Sequence, residues 1–440
     1  MSPSTIDTEL LEQAVEKLPA DALMPQRKQA LTQFAATGFP TTRHEDWKYT
    51  NLAPAIELSN LWLREAARGL PELAVSPSVR EYAGNLAAGI DAHWLVIANG
   101  LYRGNLQDGA LEEARGISLP GLEIASIASD DVARSMAASD AMTHFNTALL
   151  RDALHVRIDA DHEPDKPLGL LVIDDASAGA TVSQARVVIE AGPMSRAQII
   201  EYHASVGRHE HFANVVTELD IAQNAKIDYL RIQDRDRSHF QIGRLRATLG
   251  RDATLHHSAL DLGGALIRND VIAEIAAPGA GVELYGLYLA DGTQHIDNHT
   301  RVDHKVGPAN SREEYRGILS DEARCVFNGK AIVHSDADGT DAHQANHNLL
   351  LSDKAEIDTK PELEIYADDV KCSHGATVGQ LDKAALFYLR SRGLDHAEAA
   401  RVLTRAFAAA IVARTRIGNA RSHIENLIDR RLEELVGGSL

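Results

Sequence analysis

Hydrophobic positions change period three times along this chain. From about Thr5 to Gly38 they follow a helical stripe: Leu10, Leu11, Ala14, Val15 and Leu18 recur at helical spacing, with Asp7 as a predicted N-cap. Pro25 suits the first position of a second helix, ending at Gly38. Between about Pro54 and Asp131 the pattern is mixed, and Trp94–Tyr102 reads as a strand meeting a turn at Asn99-Gly100. From Asp131 to Ala153 an amphipathic helix is expected, with Met136, Met142, Phe145 and Leu149 facing a core.

From about Leu154 to Leu381 helical periodicity gives way to short β-rich runs separated by Gly, Asn and Asp. A small residue opens a strand after a turn at Ala197, Ala225, Ala253 and Gly281, an interval of 28 residues each time, and similar openings recur at Ala323 and Ala355. Phe212, Phe240 and Ile267 keep nearly the same beat in a second strand. Two strand runs per period and no helix predict a β-solenoid, in which each coil buries its apolar face only by stacking on its neighbours. A β-sandwich would also give many short strands; the equal spacing favours the solenoid. The open end of a solenoid exposes strand edges, and a homodimer through that end is expected for the chain alone.

After Asp382 the pattern is helical again. Asp382 is a predicted N-cap, Arg392-Gly393 a stop, and Asp395 with Glu398 a capping box. Ala399, Val402, Leu403, Ala406, Phe407, Ala410 and Ile411 make one apolar stripe flanked by Arg401, Arg405, Arg414 and Arg416, and a last helix spans about Asn419–Leu435. Such a stripe serves either packing on the solenoid or a docked partner. The fold class is thus mainly β with helical ends: residues 1–130 mainly helical, 131–381 a β-helix core, and 382–440 helical.

Composition narrows the function. A net charge of −19 argues against nucleic acid and against an anionic membrane surface. No apolar run approaches the roughly 20 residues that span a bilayer. The first residues, Met1–Asp7, lack the basic and apolar regions of a signal peptide, so a cytoplasmic location is expected. Two cysteines, Cys325 and Cys372, make neither a disulfide framework nor a four-thiolate zinc site. No phosphate loop is present: Gly329-Lys330 is followed by Ala331, and Arg324 stands where the loop's first glycine belongs.

Two places carry candidate metal chemistry. In Lys371-Cys372-Ser373-His374-Gly375-Ala376-Thr377, an extended backbone puts Cys372 and His374 on one face, offering a thiolate and an imidazole. Two ligands do not complete a site, so a partner chain or a bound small molecule must supply the rest. The second place is His295, His299 and His304 with interleaved Asp297 and Asp303. These suit a mononuclear metal in a stand-alone β-helix enzyme, or a structural polar ladder. The block from Thr42 to Leu52 combines charge with two aromatics and reads as a packed loop anchoring the helical domain.

Several of these stretches together resemble the SufD family, scaffold subunits of the Suf iron–sulfur assembly machinery. The resemblance rests on Arg43-x-Glu45-x-Trp47-Lys48-Tyr49-Thr50, on Gly286-Leu287-Tyr288-Leu289, on Gln294-His295-x-Asp297-x-His299-Thr300, and on Cys372 to Thr377 with its flanks from Pro361 to Gly393. The related SufB family usually has Glu at the Gly375 position and lacks the Trp47–Thr50 block. The resemblance implies a right-handed parallel β-helix between helical domains and a non-enzymatic scaffold role. It implies pairing with a SufB-like subunit through the β-helix end, and docking of a SufC-like ATPase on the C-terminal helices. It further implies that His374, with Cys372 secondary, helps form a nascent iron–sulfur cluster shared with the partner. No cofactor is expected to be tightly bound to the isolated chain.

Overall fold

Ser195, Ala225, Ala253, Ala280 and Ala309 lie one above another at a corner of the coil, each receiving at its carbonyl the N–H of the residue that opens the next coil. Four are fully buried and Ala309 nearly so, which explains their size. The residues before the first four, Met194, Asn224, Asp252 and Gly279, adopt positive φ, the left-handed turn that swings the chain inward. This computed structural model describes residues 5–70, 74–113, 116–127 and 140–438.

The first four helices are α1 (Thr8–Glu16), α2 (Met24–Thr37), α3 (Ala53–Ala66) and α4 (Pro77–Gly89). Then come β1 (His93–Ala98), β2 (Leu101–Gln107), β3 (Ala110–Glu112), β4 (Gly116–Leu119) and β5 (Leu122–Ile127). Helix α5 (Ala141–Ala148) precedes the run of coils. The coils comprise β6 (Ala153–Ile158), β7 (Leu168–Ala176), β8 (Thr181–Ala191), β9 (Arg196–Gly207), β10 (His211–Ile221), β11 (Lys226–Gln233), β12 (His239–Leu249) and β13 (Thr254–Asp261). They continue with β14 (Leu266–Ile275), β15 (Gly281–Ala290), β16 (His295–His304), β17 (Asn310–Leu319), β18 (Arg324–Val333), β19 (Thr340–Leu350), β20 (Glu356–Ile365) and β21 (Val370–Gly379). Helices α6 (Lys383–Ser391), α7 (His396–Val412) and α8 (Arg421–Gly438) close the chain.

Alternate strands enter alternate sheets. One sheet runs β21-β19-β17-β15-β13-β11-β9-β7-β1-β2-β3, the other β20-β18-β16-β14-β12-β10-β8-β6-β5-β4. From β7 in the first sheet and β6 in the second, every pairing along the stack is parallel and skips one strand in sequence, which is the signature of a solenoid. β1 joins parallel to β7, while β2–β5 add antiparallel hairpins, so the two sheets begin at residue 93. The β1–β2 turn falls at Asn99-Gly100, both at positive φ, and a Cβ on Gly100 would sit 2.5 Å from the Gln184 carbonyl oxygen.

The repeat is real but its step varies. Lys226 pairs with Arg196, Thr254 with Lys226 and Gly281 with Thr254, steps of 30, 28 and 27 residues. Of the four predicted markers, Ala225 and Ala253 do stack. Ala197 lies two residues past the true corner and Gly281 one past it. In the other sheet Phe212 stacks on Phe240, but the next in register is Leu266, and Ile267 points to the opposite face. Corners absorb extra residues without disturbing the strands, so equal sequence spacing only approximates the register.

Three large apolar cores result among the described residues, beside a small cluster of Leu23, Leu150 and Ala153. The interior holds Leu170, Val187, Ile199, Ile227, Leu255, Val282 and Ile296. α1–α3 and α5 cover the outer face of the β8–β10–β12 side, where Phe34, Phe39 and Phe145 cluster with centroids 4.8–5.1 Å apart. α4, α7 and α8 cover the outer face of the other sheet through Ile200, Leu230, Leu260 and Leu287.

The cap readings hold: Asp7 caps α1, Pro25 sits in the first turn of α2, Gly38 ends α2, Asp382 caps α6, and Asp395 with Glu398 forms the capping box of α7. Of the helix expected over Asp131–Ala153, the described part is α5, capped by Asp140 and ended before Ala153, which already opens β6; residues 131–139, Met136 among them, lie outside the described residues. The stripe on α7 is rotated from the expected one. Ala400, Thr404, Ala408, Ile411 and Val412 are buried with Ala399, whereas Val402 is 45% exposed. No helix among the described residues is long and apolar enough to cross a membrane.

Candidate functional site at the open coil

β21 and β20 are the last strands of their sheets. Side chains on β21 continue the columns that β19 sets: Cys372 follows Ala342, His374 follows Gln344, and Ala376 follows Asn346. Ala342, Gln344 and Asn346 face the solenoid interior and are buried. Cys372 and His374 therefore share one face, as period-2 alternation predicts, and it is the interior-facing one. No further coil lies over them, so His374 is exposed and Cys372 half-buried. Burial pushes the Cys372 thiol upward, which disfavours the thiolate that would bind metal. The other cysteine, Cys325, faces the core fully buried, and its thiol is pushed far up by that burial.

The surroundings of this end are apolar and open. Tyr366 is 62% exposed, Val378 50%, Phe387 73% and Tyr388 55%, and α6 buries no residue of its own. Edge strands with unused backbone groups beside exposed aromatics are the features that another strand or chain would cover.

The second candidate cluster does not converge. His295, Asp297 and His299 share the outer face of β16, whereas His304, five residues beyond His299, points inward to Ser311 Oγ at 2.9 Å. Burial pushes His304 down to about 4. The outer-face residues are taken by the block around Trp47. His295 Nε2 lies 2.8 Å from Thr50 Oγ1, and Thr50 donates to Asp297. Burial alone would raise the Asp297 carboxyl, but His299 at 2.9 Å and Arg268 at 2.9 Å hold it well below the usual range. Among the described residues, no three His, Cys, Asp or Glu side chains are placed to hold a metal ion. The expectation of a His295/His299/His304 centre is corrected accordingly: strand parity separates His304, and docking of the N-terminal segment occupies the rest.

That docking realises the predicted anchor. The Arg268 guanidinium stacks over the Trp47 ring and also bonds the Asp46 carbonyl, Asp270 and Asp297. Lys360 on β20 bonds Glu45 at 2.9 Å.

A third feature escaped the sequence reading. The interior of this solenoid is polar along part of its length. Glu201 accepts from Thr217 at 2.9 Å and from Tyr229, and contacts His203 at 3.1 Å. Arg231 grips Asp261 through one nitrogen at 2.9 and 3.0 Å, and Asn269 adds a bond at 3.1 Å. Nearer the open end, Glu313 accepts from Thr300 and from Gln344 Nε2 at 2.8 Å. Burial pushes Glu313 up to about 7 against both of those hydrogen bonds.

A groove of about 530 Å³ runs between α7 and α8, lined by Val402, Ala406, Ala409, Val412, Ala413 and Ile428 among others. Arg405 and Asp429 pair at 2.8 Å at its rim.

Residues 172–407 match the family model described as SUF system FeS cluster assembly, SufBD core domain, and residues 9–74 match the SufBD protein N-terminal region. Iron-sulfur cluster assembly protein SufD of Escherichia coli is 32% identical over 410 residues, 93% of each chain. The chain belongs to the SufD family. An iron-sulfur cluster assembly SufBD family protein of Synechocystis is 27% identical over 96% of this chain and 94% of its own. SufD of Bacillus subtilis is 24% identical over 66% and 67%. The family core model spans the coils from β7 onward through β21 and most of α7, so the open coil, Cys372 and His374 all lie within the SufBD core.

Proposed function

We propose that this chain is a non-enzymatic scaffold subunit in iron–sulfur cluster assembly, and that it completes its site only against a second subunit. The observation that carries this reading is the position of His374: interior-facing, on the last strand of the stack, and left uncovered. A SufB-like partner that extends the two sheets would close the open coil and enclose His374 at the junction. There the imidazole supplies one ligand to the nascent cluster, the partner supplies thiolate, and the weak mixed set suits handover. Cys372 is the lesser candidate, since burial disfavours its thiolate.

The groove between α7 and α8 is proposed as the seat of a SufC-like ATPase. The chain has no phosphate loop of its own, in keeping with hydrolysis belonging to that partner. Without a SufB-like subunit, the same open end pairs with a second copy of the chain. A cytoplasmic location belongs to this proposal, and neither nucleic acid nor membrane enters it.

The test is anaerobic co-expression with SufB-like and SufC-like partners, followed by iron, sulfide and visible spectra of the purified complex, for wild type and His374→Ala. The expected result is an intact complex in both and loss of cluster in the variant. Equal cluster in both would overturn the site assignment. Stoichiometric metal on the isolated chain would argue for a self-contained metal site instead.

A further inference from the structure

Behind His374 lies a side chain with half of its hydrogen bonding unused. Gln344 is 5% exposed. Its Nε2 donates to Glu313 Oε2 at 2.8 Å, one coil back. Its Oε1 is buried and takes no hydrogen bond from any described residue. A buried amide oxygen left unpaired costs about 1–3 kcal/mol, so it needs an explanation. The next residue in the column, one coil forward, is His374. Adjacent strands stand about 4.8 Å apart, within reach of one side-chain hydrogen bond. The His374 ring has no hydrogen-bond partner among the described residues, which leaves both of its nitrogens free.

Two neighbours hold the amide in place. Glu313 is itself fixed from the opposite sheet by Thr300. Gly329 leaves the space: a Cβ there would fall 2.1 Å from Gln344 Nε2. The amide can neither swing across the interior nor release Glu313 without leaving that carboxyl short of a partner.

We propose that Gln344 is the positioning residue for His374. Its N–H end is anchored on Glu313, and its carbonyl oxygen accepts a ring N–H from His374, so that the other ring nitrogen faces the junction as a ligand. An imidazole that ligates through one nitrogen needs an acceptor for the proton on the other, and that acceptor sets tautomer and ring orientation. This inference rests on the reading of His374 as a cluster ligand; it adds which residue aims it.

The test has two arms. In the isolated chain carrying ¹⁵N-histidine, two-bond ¹H–¹⁵N spectra report the tautomer of each ring, with His374→Ala identifying the His374 signals. Wild type is expected to show one fixed tautomer for His374, and Gln344→Leu a mixture. In the complex with its partners, Gln344→Leu is expected to hold cluster roughly 10–100-fold more weakly, as loss of such outer partners does. If His374→Ala loses cluster while Gln344→Leu keeps both the cluster and unchanged His374 resonances, the inference about Gln344 falls and the ligand reading stands. If His374→Ala keeps its cluster, the ligand reading falls and this inference with it.

Discussion

The Arg268 guanidinium carbon lies 3.9 Å from the centroid of the Trp47 ring, while its Nη1 holds the buried Asp297 carboxylate at 2.9 Å. One side chain thus ties the N-terminal segment to the coils and neutralises a charge that has lost its water. Removing it should cost more than removing the ring. Arg268→Ala is expected to destabilise by about 3 kcal/mol, because the buried Asp297 is left with only His299 and Thr50 to hold its charge. Trp47→Ala is expected to cost about 1–2 kcal/mol. Urea unfolding of both single variants and the double variant measures the coupling, and additive effects would show that the stacking contributes nothing.

Glu313 makes stability depend on pH in a definite direction. Its folded value of about 7 lies above the ordinary 4.5. Its contribution is therefore fully present below pH 4.5 and lost as pH rises through 7. The difference amounts to roughly 3 kcal/mol at most. Glu313→Gln removes this slope, so its stability relative to wild type should rise between pH 5 and pH 8. Denaturation curves at the two values check it; a constant difference would mean that Glu313 ionises normally.

The two cysteines should differ sharply toward a thiol reagent. Cys372 is half-buried on an edge strand, and Cys325 is sealed in the core. The folded chain is expected to label at Cys372 alone, slowly because burial raises its thiol pKa. Cys372→Ala should leave no reactive thiol until the chain unfolds, as mass spectrometry of the labelled protein would reveal. Labelling of Cys325 in the native state would mean that the coils breathe.

Val402 offers a clean probe of the groove between α7 and α8. Nearly half exposed, it contributes little to folding, and Val402→Asp should shift stability by no more than about 0.5 kcal/mol. A charge on that apolar wall should abolish capture of the proposed ATPase partner in a pull-down, while the proposed pairing with a SufB-like subunit survives. Undiminished capture would place the docking surface elsewhere.

Phe387, 73% exposed on α6, tests the open end. If the isolated chain pairs through its open end as proposed, Phe387→Asp is expected to turn that dimer into a monomer by light scattering at unchanged helix and strand content. A variant that remains dimeric would remove α6 from the pairing surface.

The caps and turns were legible in the sequence because each is a local bargain between a side chain and a neighbouring backbone group, as at Asp395 with Glu398 and at Asn99-Gly100. The solenoid was legible in its beat but not in its register, since the stretch from His203 to His211 is longer than the stretch from Gln233 to His239 that stacks on it. The parity of His304 was readable in principle: it lies an odd number of residues from both His295 and His299. The polar interior was not read, because alternation of polar and apolar residues normally marks a wet face and a dry one. β19 carried the missed signal. Gln344, Asn346 and Asn348 alternate with His343, Ala345 and His347, so neither face of that strand is properly apolar, although it sits inside a sheet.

β21 has a neighbouring strand on one side only. Its geometry, like that of β20, is therefore held less firmly than that of strands paired on both sides, and a second subunit would fix it. Subunit association and cargo retention then share one free energy, and linkage makes the coupling run both ways by the same factor. A subunit pair that grips tightly when loaded must part more readily once emptied, so delivery of the cluster would itself loosen the assembly that made it.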